Sequence, residues 1–264
     1  MKASKVLCAP AGSNELALQL GNFIAKIAKE SINARNRFVL AVSGVSLPAA
    51  LGSALKAAVE AGATLSTEKW FILYADERLV EEGHSESNHK GLETNVYSLP
   101  LWKAPLENIF QINYALIGNP SQCASDYESR IRSLCTAGNT NEVSVDLVLL
   151  GMGPDGHTAS LFPGHPLLSE TRLLIAPITD SPKPPSCRIT FTLPLLSSAR
   201  EVAFVAYGAG KAEMLHKVIT EAEERDEKVD IEGIVLPSAR VKSSNGTCYW
   251  FVCSDAAKNL KNRS

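Results

Sequence analysis

The chain has no long apolar run: none of its hydrophobic stretches approaches the ~18 residues that a membrane-spanning helix needs. The opening MKASKVLCAP is basic, but its apolar stretch is too short for a signal-peptide core. The terminal Asn-Arg-Ser matches no common address signal. An excess of either charge is also missing. With 26 Lys+Arg against 28 Asp+Glu the formal net charge is -2. That argues against a nucleic acid or a membrane held by bulk charge, and leaves room for a local basic cleft. Cys8, Cys123, Cys135, Cys187, Cys248 and Cys253 are scattered, without a C-x-x-C pair or histidines at metal-ligand spacing. A structural metal and a disulfide framework are both disfavoured, and reduced thiols in a cytoplasmic protein are expected. No segment repeats at 20–50 residues, which excludes a solenoid.

What is present is ordinary globular composition: 264 residues, 45% hydrophobic and 20% charged. No composition break divides the chain, so a single domain over 1–264 is expected. Apolar runs at 38–42, 70–75, 145–150, 172–177 and 202–207 are near-continuous in Val, Ile, Leu and Phe. Strands covered on both faces look like this, and such strands are parallel. Between them lie helical stripes. Leu16, Leu20, Phe23, Ile24 and Ile27 share one face behind Ser13 or Asn14 as the cap. Leu47, Leu51, Leu55 and Val59 recur at four-residue steps, with Pro48 in the first turn. Met214, Leu215, Val218 and Ile219 form another stripe. The acidic, mixed-charge run at 221–230 reads as a solvated helix end; 179–186 and 243–246 read as loops. Strands alternating with helices predict an α/β fold: a doubly wound, mostly parallel sheet with helices on both faces.

Ligands of such sheets bind outside the carboxyl ends of the strands. Five segments in that position carry chemistry. Ser43-Gly44-Val45-Ser46 runs from a strand into a helix and offers amides, hydroxyls and the positive end of the helix dipole to an anion. Asp76-Glu77-Arg78 is either a salt-bridged rim or a carboxylate and guanidinium for a polar substrate. GMGPDGHTASLFPG at 151–164 puts Asp155 and His157, a carboxylate and a base of near-neutral pKa, into one glycine-rich loop. Arg188 opens an apolar segment. Lys211, in the first turn of a helix, is disfavoured by the dipole unless an anion compensates it. Arg188, Lys211 and the Ser43 turn together suit a phosphate group.

Gly151-Met152-Gly153-Pro154-Asp155-Gly156 also matches the dinucleotide fingerprint G-x-G-x-x-G, with Asp180 where a ribose-binding acid belongs. A crossover helix of at least ~10–12 residues must follow that fingerprint, and Pro163 and Pro166 interrupt it. Pro154 also removes an amide. A nicotinamide cofactor is therefore not expected.

The 151–164 motif, the Asp76-Glu77-Arg78 run with downstream Ser87-Asn88, and the Ser43-Gly44-x-Ser46-x-Pro48 turn resemble the 6-phosphogluconolactonase group of the glucosamine-6-phosphate isomerase/deaminase-like superfamily. The likeness runs in family order from about Phe38 to Lys211. It implies hydrolysis of 6-phosphoglucono-1,5-lactone to 6-phosphogluconate in the oxidative pentose phosphate pathway, with no metal or organic cofactor. By this resemblance His157 is the general base toward water and Asp155 orients or tunes it. Ser43, Gly44 and Ser46 form the phosphate turn, with Arg188 and Lys211 as its charged partners. Asp76, Gly153 and Gly156 bind substrate or orient loops, and Arg78 faces the sugar-acid end or the loop of His157. Ser160 reads as structural. Backbone amides of the glycine loop are candidate donors to the developing oxyanion. The oligomeric state is open, the monomer favoured.

Two departures stand out: Val45 replaces a usual glycine, and Glu81 stands where proline usually follows Asp-Glu-Arg-x-Val. Two rival functions are weighed. A deaminase of the same superfamily uses a glutamate five residues after the histidine; here that position is Phe162, and Arg78 replaces the deaminases' usual aromatic residue. A catalytically silent sugar-phosphate sensor has no need of Asp155 and His157.

Overall fold

The computed structural model describes residues 4–44, 46–136, 142–221, 236–244 and 247–260. Val45, the acidic run from 222 to 230 and the loop positions 245–246 lie outside the described residues.

Four of the five near-continuous apolar runs form strands of a parallel sheet. Its six strands are β1 (Ser4–Ala9), β2 (Phe38–Val42), β3 (Trp70–Tyr74), β5 (Leu147–Gly151), β8 (Glu201–Ala206) and β9 (Cys248–Cys253). They lie in the order β1-β9-β8-β5-β2-β3, every pair parallel. β2 and β3 are buried along almost their whole length, as expected of strands covered on both faces. Phe204 on β8 stacks on Trp250 of β9 at 4.1 Å between ring centroids.

Helix α1 (Glu15–Arg35) buries Leu16, Leu20, Ile24 and Ile27. The residue at its cap is Asn14, whose side chain makes no capping bond, while Ser13 Oγ accepts from the Glu15 amide at 3.4 Å. Helix α2 (Leu47–Glu60) buries Leu47, Leu51 and Leu55; Val59, expected on the same stripe, is 40% exposed. Leu215, Val218 and Ile219 are buried in the helical segment that follows Lys211. Helix α4 (Pro120–Cys135) follows the short α3 (Asn88–Leu92) and buries Cys123, Tyr127, Ile131 and Cys135. All six cysteines are free thiols.

The sequence reading needs correction at 172–177. This run is not a strand of the parallel sheet. It contributes β6 (Ile175–Ile178) to a second, three-stranded antiparallel sheet, order β4-β7-β6, with β4 (Asp76–Arg78) and β7 (Arg188–Phe191). The connection 179–187 is shorter than the ~10–12 residues a parallel crossover needs, so the chain can only return antiparallel. Asp76-Glu77-Arg78, read as charges at the end of a strand, itself forms the strand β4. Ala75 is the hand-over point: its amide donates to Val42 O at 2.9 Å in the large sheet, and its carbonyl accepts from Phe191 N at 2.7 Å in the small one. One hydrophobic cluster contains residues of both sheets, including Leu149, Phe204, Ile175 and Phe191.

From β2 the chain moves outward to β3; from β5 it moves the other way, to β8. The crevice between the carboxyl ends of β2 and β5 is therefore the switch point, where a ligand site is expected.

Candidate functional site

The loop after β5 is closed on itself. Gly153 N donates to His157 O at 2.8 Å, and Gly156 N to Gly153 O at 3.1 Å. Both amides are engaged inside the loop, so neither can serve as the oxyanion donor expected above. The loop positions a side-chain pair: His157 Nδ1 lies 2.5 Å from Asp155 Oδ1. A carboxylate can only accept, so Nδ1 carries the proton and Nε2 keeps its lone pair. A Cβ on Gly153 would overlap the His157 ring and the Asp155 carboxylate. Glycine is required there because the pair occupies its side-chain space.

Burial lowers the affinity of His157 for a proton; Asp155 opposes that effect and Lys183 adds to it. Burial acts to raise the Asp155 carboxyl, but the hydrogen bond from His157 and the charge of Lys183 hold it below the usual carboxylate value. A neutral imidazole beside an ionised carboxylate is what a proton acceptor needs. The Phe162 ring packs on the imidazole, centroids 4.8 Å apart.

Between Thr158 and Leu161 the loop turns back on itself, with Ala159 in the left-handed region at φ 48. The Leu161 amide donates to Thr158 O at 2.9 Å. This turn presents Ser160. Its hydroxyl donates to Asp76 Oδ2 at 2.7 Å and accepts from Arg188 Nη1 at 3.2 Å. Asp76, 2% exposed, also accepts from Ser43 Oγ at 2.7 Å and Asn88 Nδ2 at 3.1 Å. One carboxylate thus joins the β2 turn, the β5 loop and the 80s segment.

The other expected residues fall around this junction. Ser43 is buried, its amide bonded to Leu149 O and its hydroxyl to Asp76, so it has no free hydrogen for a ligand. Gly44, at φ 89, has open space where a side chain would stand, and Ser46 is exposed at the start of α2. These two, with the first amides of α2, are what the turn offers an anion. Lys211 Nζ donates to Met152 O at 2.8 Å, which brings the turn after β8 onto the β5 loop. Burial lowers its proton affinity, with Lys183 adding to the effect.

Arg78 and Arg188 are cross-strand partners in the small sheet. Arg78 Nη1 donates to Glu86 O at 2.7 Å, and Nε is buried without a partner among the described residues. Arg188 holds the loop before its own strand. Nε donates to Pro185 O at 2.9 Å, and Nη2 to Lys183 O at 2.7 Å and Pro184 O at 3.3 Å. Glu77 is a further buried carboxylate. It accepts from the amides of Arg78, Asn88 and His89, each at 2.8 Å, and from Ser87 Oγ at 3.1 Å. Burial pushes it up to about 7 against the pull of those amides.

Lys183 is the residue that the sequence reading missed. Its Nζ lies 3.1 Å from His157 Nδ1 and 3.3 Å from Asp155 Oδ1. A lysine among three prolines reads as loop, and only the fold of 179–187 brings it to the histidine.

Fold and site define an α/β protein with a carboxylate–imidazole pair and an anion-suited helix start at the switch point of a parallel sheet. Residues 11–250 match the family described as glucosamine-6-phosphate isomerases/6-phosphogluconolactonase, and the chain belongs to that family. It is 40% identical to human 6-phosphogluconolactonase over 251 residues, 94% of this chain and 91% of the relative. The rat 6-phosphogluconolactonase is also 40% identical, over 93% of this chain and 90% of its own. Among solved structures, the 6-phosphogluconolactonase from Trypanosoma brucei superposes with a TM-score of 0.80 at 21% identity, covering 99% of this chain and 100% of its own. A monomeric glucosamine-6-phosphate deaminase superposes at 0.67 and 17% identity, over 97% and 100%, a likeness of fold alone.

Proposed function

We propose that this chain is an enzyme that hydrolyses 6-phosphoglucono-1,5-lactone to 6-phosphogluconate, the lactone-opening step of the oxidative pentose phosphate pathway, within a single domain. The observation that carries the mechanism is the Asp155–His157 pair, with Nε2 of the imidazole left as acceptor.

In this reading the phosphate lies at Gly44, Ser46 and the start of α2, with Lys211 supplying charge. That end anchors the substrate so that the lactone carbonyl meets the β5 loop. His157 Nε2 takes a proton from water as the water oxygen bonds to the carbonyl carbon. The resulting tetrahedral oxyanion collapses, the bond to the ring oxygen breaks, and the imidazolium returns its proton to that oxygen. The products are a carboxylic acid, which ionises, and a free hydroxyl. Asp155 keeps the ring oriented and stabilises the transient imidazolium. A positioned base contributes about 10²–10⁴-fold, which suits a lactone that already opens slowly in water. No nucleophilic serine is needed. Ser160, Asp76, Ser43 and Arg188 hold the loops in register, and Arg78 secures the 80s segment. Phe162, packed on His157, has no proton to offer a deaminase-type ring opening.

The reading includes a cytoplasmic enzyme, checked by fractionation of cells; one rice relative, 36% identical, is named chloroplastic. No described helix is long and apolar enough to cross a membrane. The substrate test compares 6-phosphoglucono-1,5-lactone, generated in situ, with unphosphorylated glucono-1,5-lactone. The phosphorylated lactone should open well above its spontaneous rate and with a far higher kcat/KM. Equal rates on both lactones would remove the phosphate site from the proposal.

A further inference from the structure

The 179–187 connection is held more tightly than a surface loop requires. Ser181 Oγ donates to Lys183 O at 2.8 Å, and Ser181 N to Ser186 O at 3.2 Å. The buried Arg188 guanidinium takes the carbonyls of Lys183, Pro184 and Pro185 in turn. The product of this bracing is the position of one ammonium group. Lys183 Nζ stands 3.3 Å from Asp155 Oδ1, 3.1 Å from His157 Nδ1 and 6.0 Å from the centroid of the Phe162 ring.

Nδ1 already gives its hydrogen to Asp155, so Lys183 cannot be sharing a proton with it. The ammonium instead completes a row of base, carboxylate and cation. We propose that Lys183 is a positioning residue for the hydrolysis, acting through Asp155 and His157: it fixes the carboxylate as the acceptor for Nδ1–H and sets a like charge beside the ring that must accept the proton. This rests on the lactonase reading above.

The gain is twofold. A like charge about 3 Å from the ring opposes its protonation, so the free enzyme holds the neutral, water-activating form to lower pH. A weaker base is also a stronger acid. The imidazolium formed during attack therefore passes its proton more readily to the departing ring oxygen, which offsets the slower abstraction from water, so the net effect of Lys183 is felt where the ring titrates. The other groups facing the pair do not duplicate this effect. Asp155, in the same loop, and Asp76, on β4, favour the protonated ring; Phe162 is apolar; Lys211 faces Asp155 from the turn after β8.

Two measurements on the whole protein test this. Ring NMR of isotopically labelled histidine, with the His157 signal assigned through a His157→Gln variant, follows titration without substrate. The pH profile of kcat/KM, corrected for spontaneous opening, follows catalysis. In Lys183→Met the His157 titration and the acid limb of the profile should both move to higher pH. Activity should drop about tenfold near pH 6 and the deficit should close above about pH 8, while Lys183→Arg stays close to wild type. An unmoved His157 titration in Lys183→Met overturns the proposal, even if no lactone turnover is seen in any form. A loss of kcat/KM equal at every pH overturns it as well, and assigns Lys183 to direct contact with substrate.

Discussion

Ser160 donates its hydroxyl to Asp76 at 2.7 Å across 84 positions of sequence. The same carboxylate takes the hydroxyl of Ser43, from the turn that precedes α2. The distance between the proposed phosphate turn and the histidine loop is therefore set by one buried side chain, not by the sheet alone.

Replacing Asp76 with alanine leaves the Ser43 and Ser160 hydroxyls without their acceptor, while Asn88 Nδ2 keeps its bond to the backbone carbonyl of residue 76. Each unsatisfied buried group costs about 1–3 kcal/mol. Urea unfolding should show a lower midpoint, and kcat/KM should fall further than stability explains, because the two loops lose their common tie. Wild-type turnover in a destabilised Asp76→Ala protein would assign the residue to folding only.

Gly153→Ala is a sharper probe of geometry. The new methyl group must enter the space of the His157–Asp155 pair, and a misplacement of about 1 Å can cost on the order of 10²-fold in rate. A fall of that size with an unchanged thermal midpoint is expected. Full activity would mean that the pair is not held as described.

The direction of the His157 shift sets the pH dependence. Its proton affinity is lowered, chiefly by burial, so the folded protein holds fewer protons at this site than the unfolded chain does below about pH 6.5. The neutral, active form should persist below that value, and the acid limb of kcat/KM should lie there too. The stabilising effect of keeping this ring neutral is complete above the unfolded value and is lost on acidification through the folded one. An acid limb above pH 7 would show that the attraction of Asp155 outweighs burial.

Glu77 is expected to matter for folding more than for chemistry. Glu77→Ala orphans the amides of Arg78, Asn88 and His89, a loss of at least about 2 kcal/mol. Chemical denaturation should detect it, with KM rising as the 87–89 segment loosens. An unchanged denaturation midpoint would contradict this structural role.

The parallel strands were legible because burial on both faces writes a continuous apolar run, and 38–42 and 70–74 are such runs. The segment 172–177 has the same composition, yet its direction is decided by the length of the following connection, which composition does not encode. The edge strand β1, with the partly exposed Val6, Leu7 and Cys8, carries too weak a pattern to stand out. Helix α4 buries Cys123, Tyr127, Ile131 and Cys135 at four-residue steps, a stripe hidden by reading the cysteines as scattered thiols. The Asp155-x-His157 pair was visible because both partners share one tight loop. Lys183 was not, since its approach depends on Arg188 gathering three carbonyls from a proline-rich turn. Ser160 read as structural, and its bonds agree, but the partners that make it a link lie on β4 and β7.

The central claim is that His157 activates water for opening of the phosphorylated lactone. The most direct measurement follows loss of in situ generated 6-phosphoglucono-1,5-lactone at near-neutral pH with wild type, with His157→Ala and with buffer alone. The account predicts rapid opening by wild type and a fall of about 10²–10⁴-fold in the variant, with 6-phosphogluconate binding retained. Equal turnover by wild type and His157→Ala would contradict it.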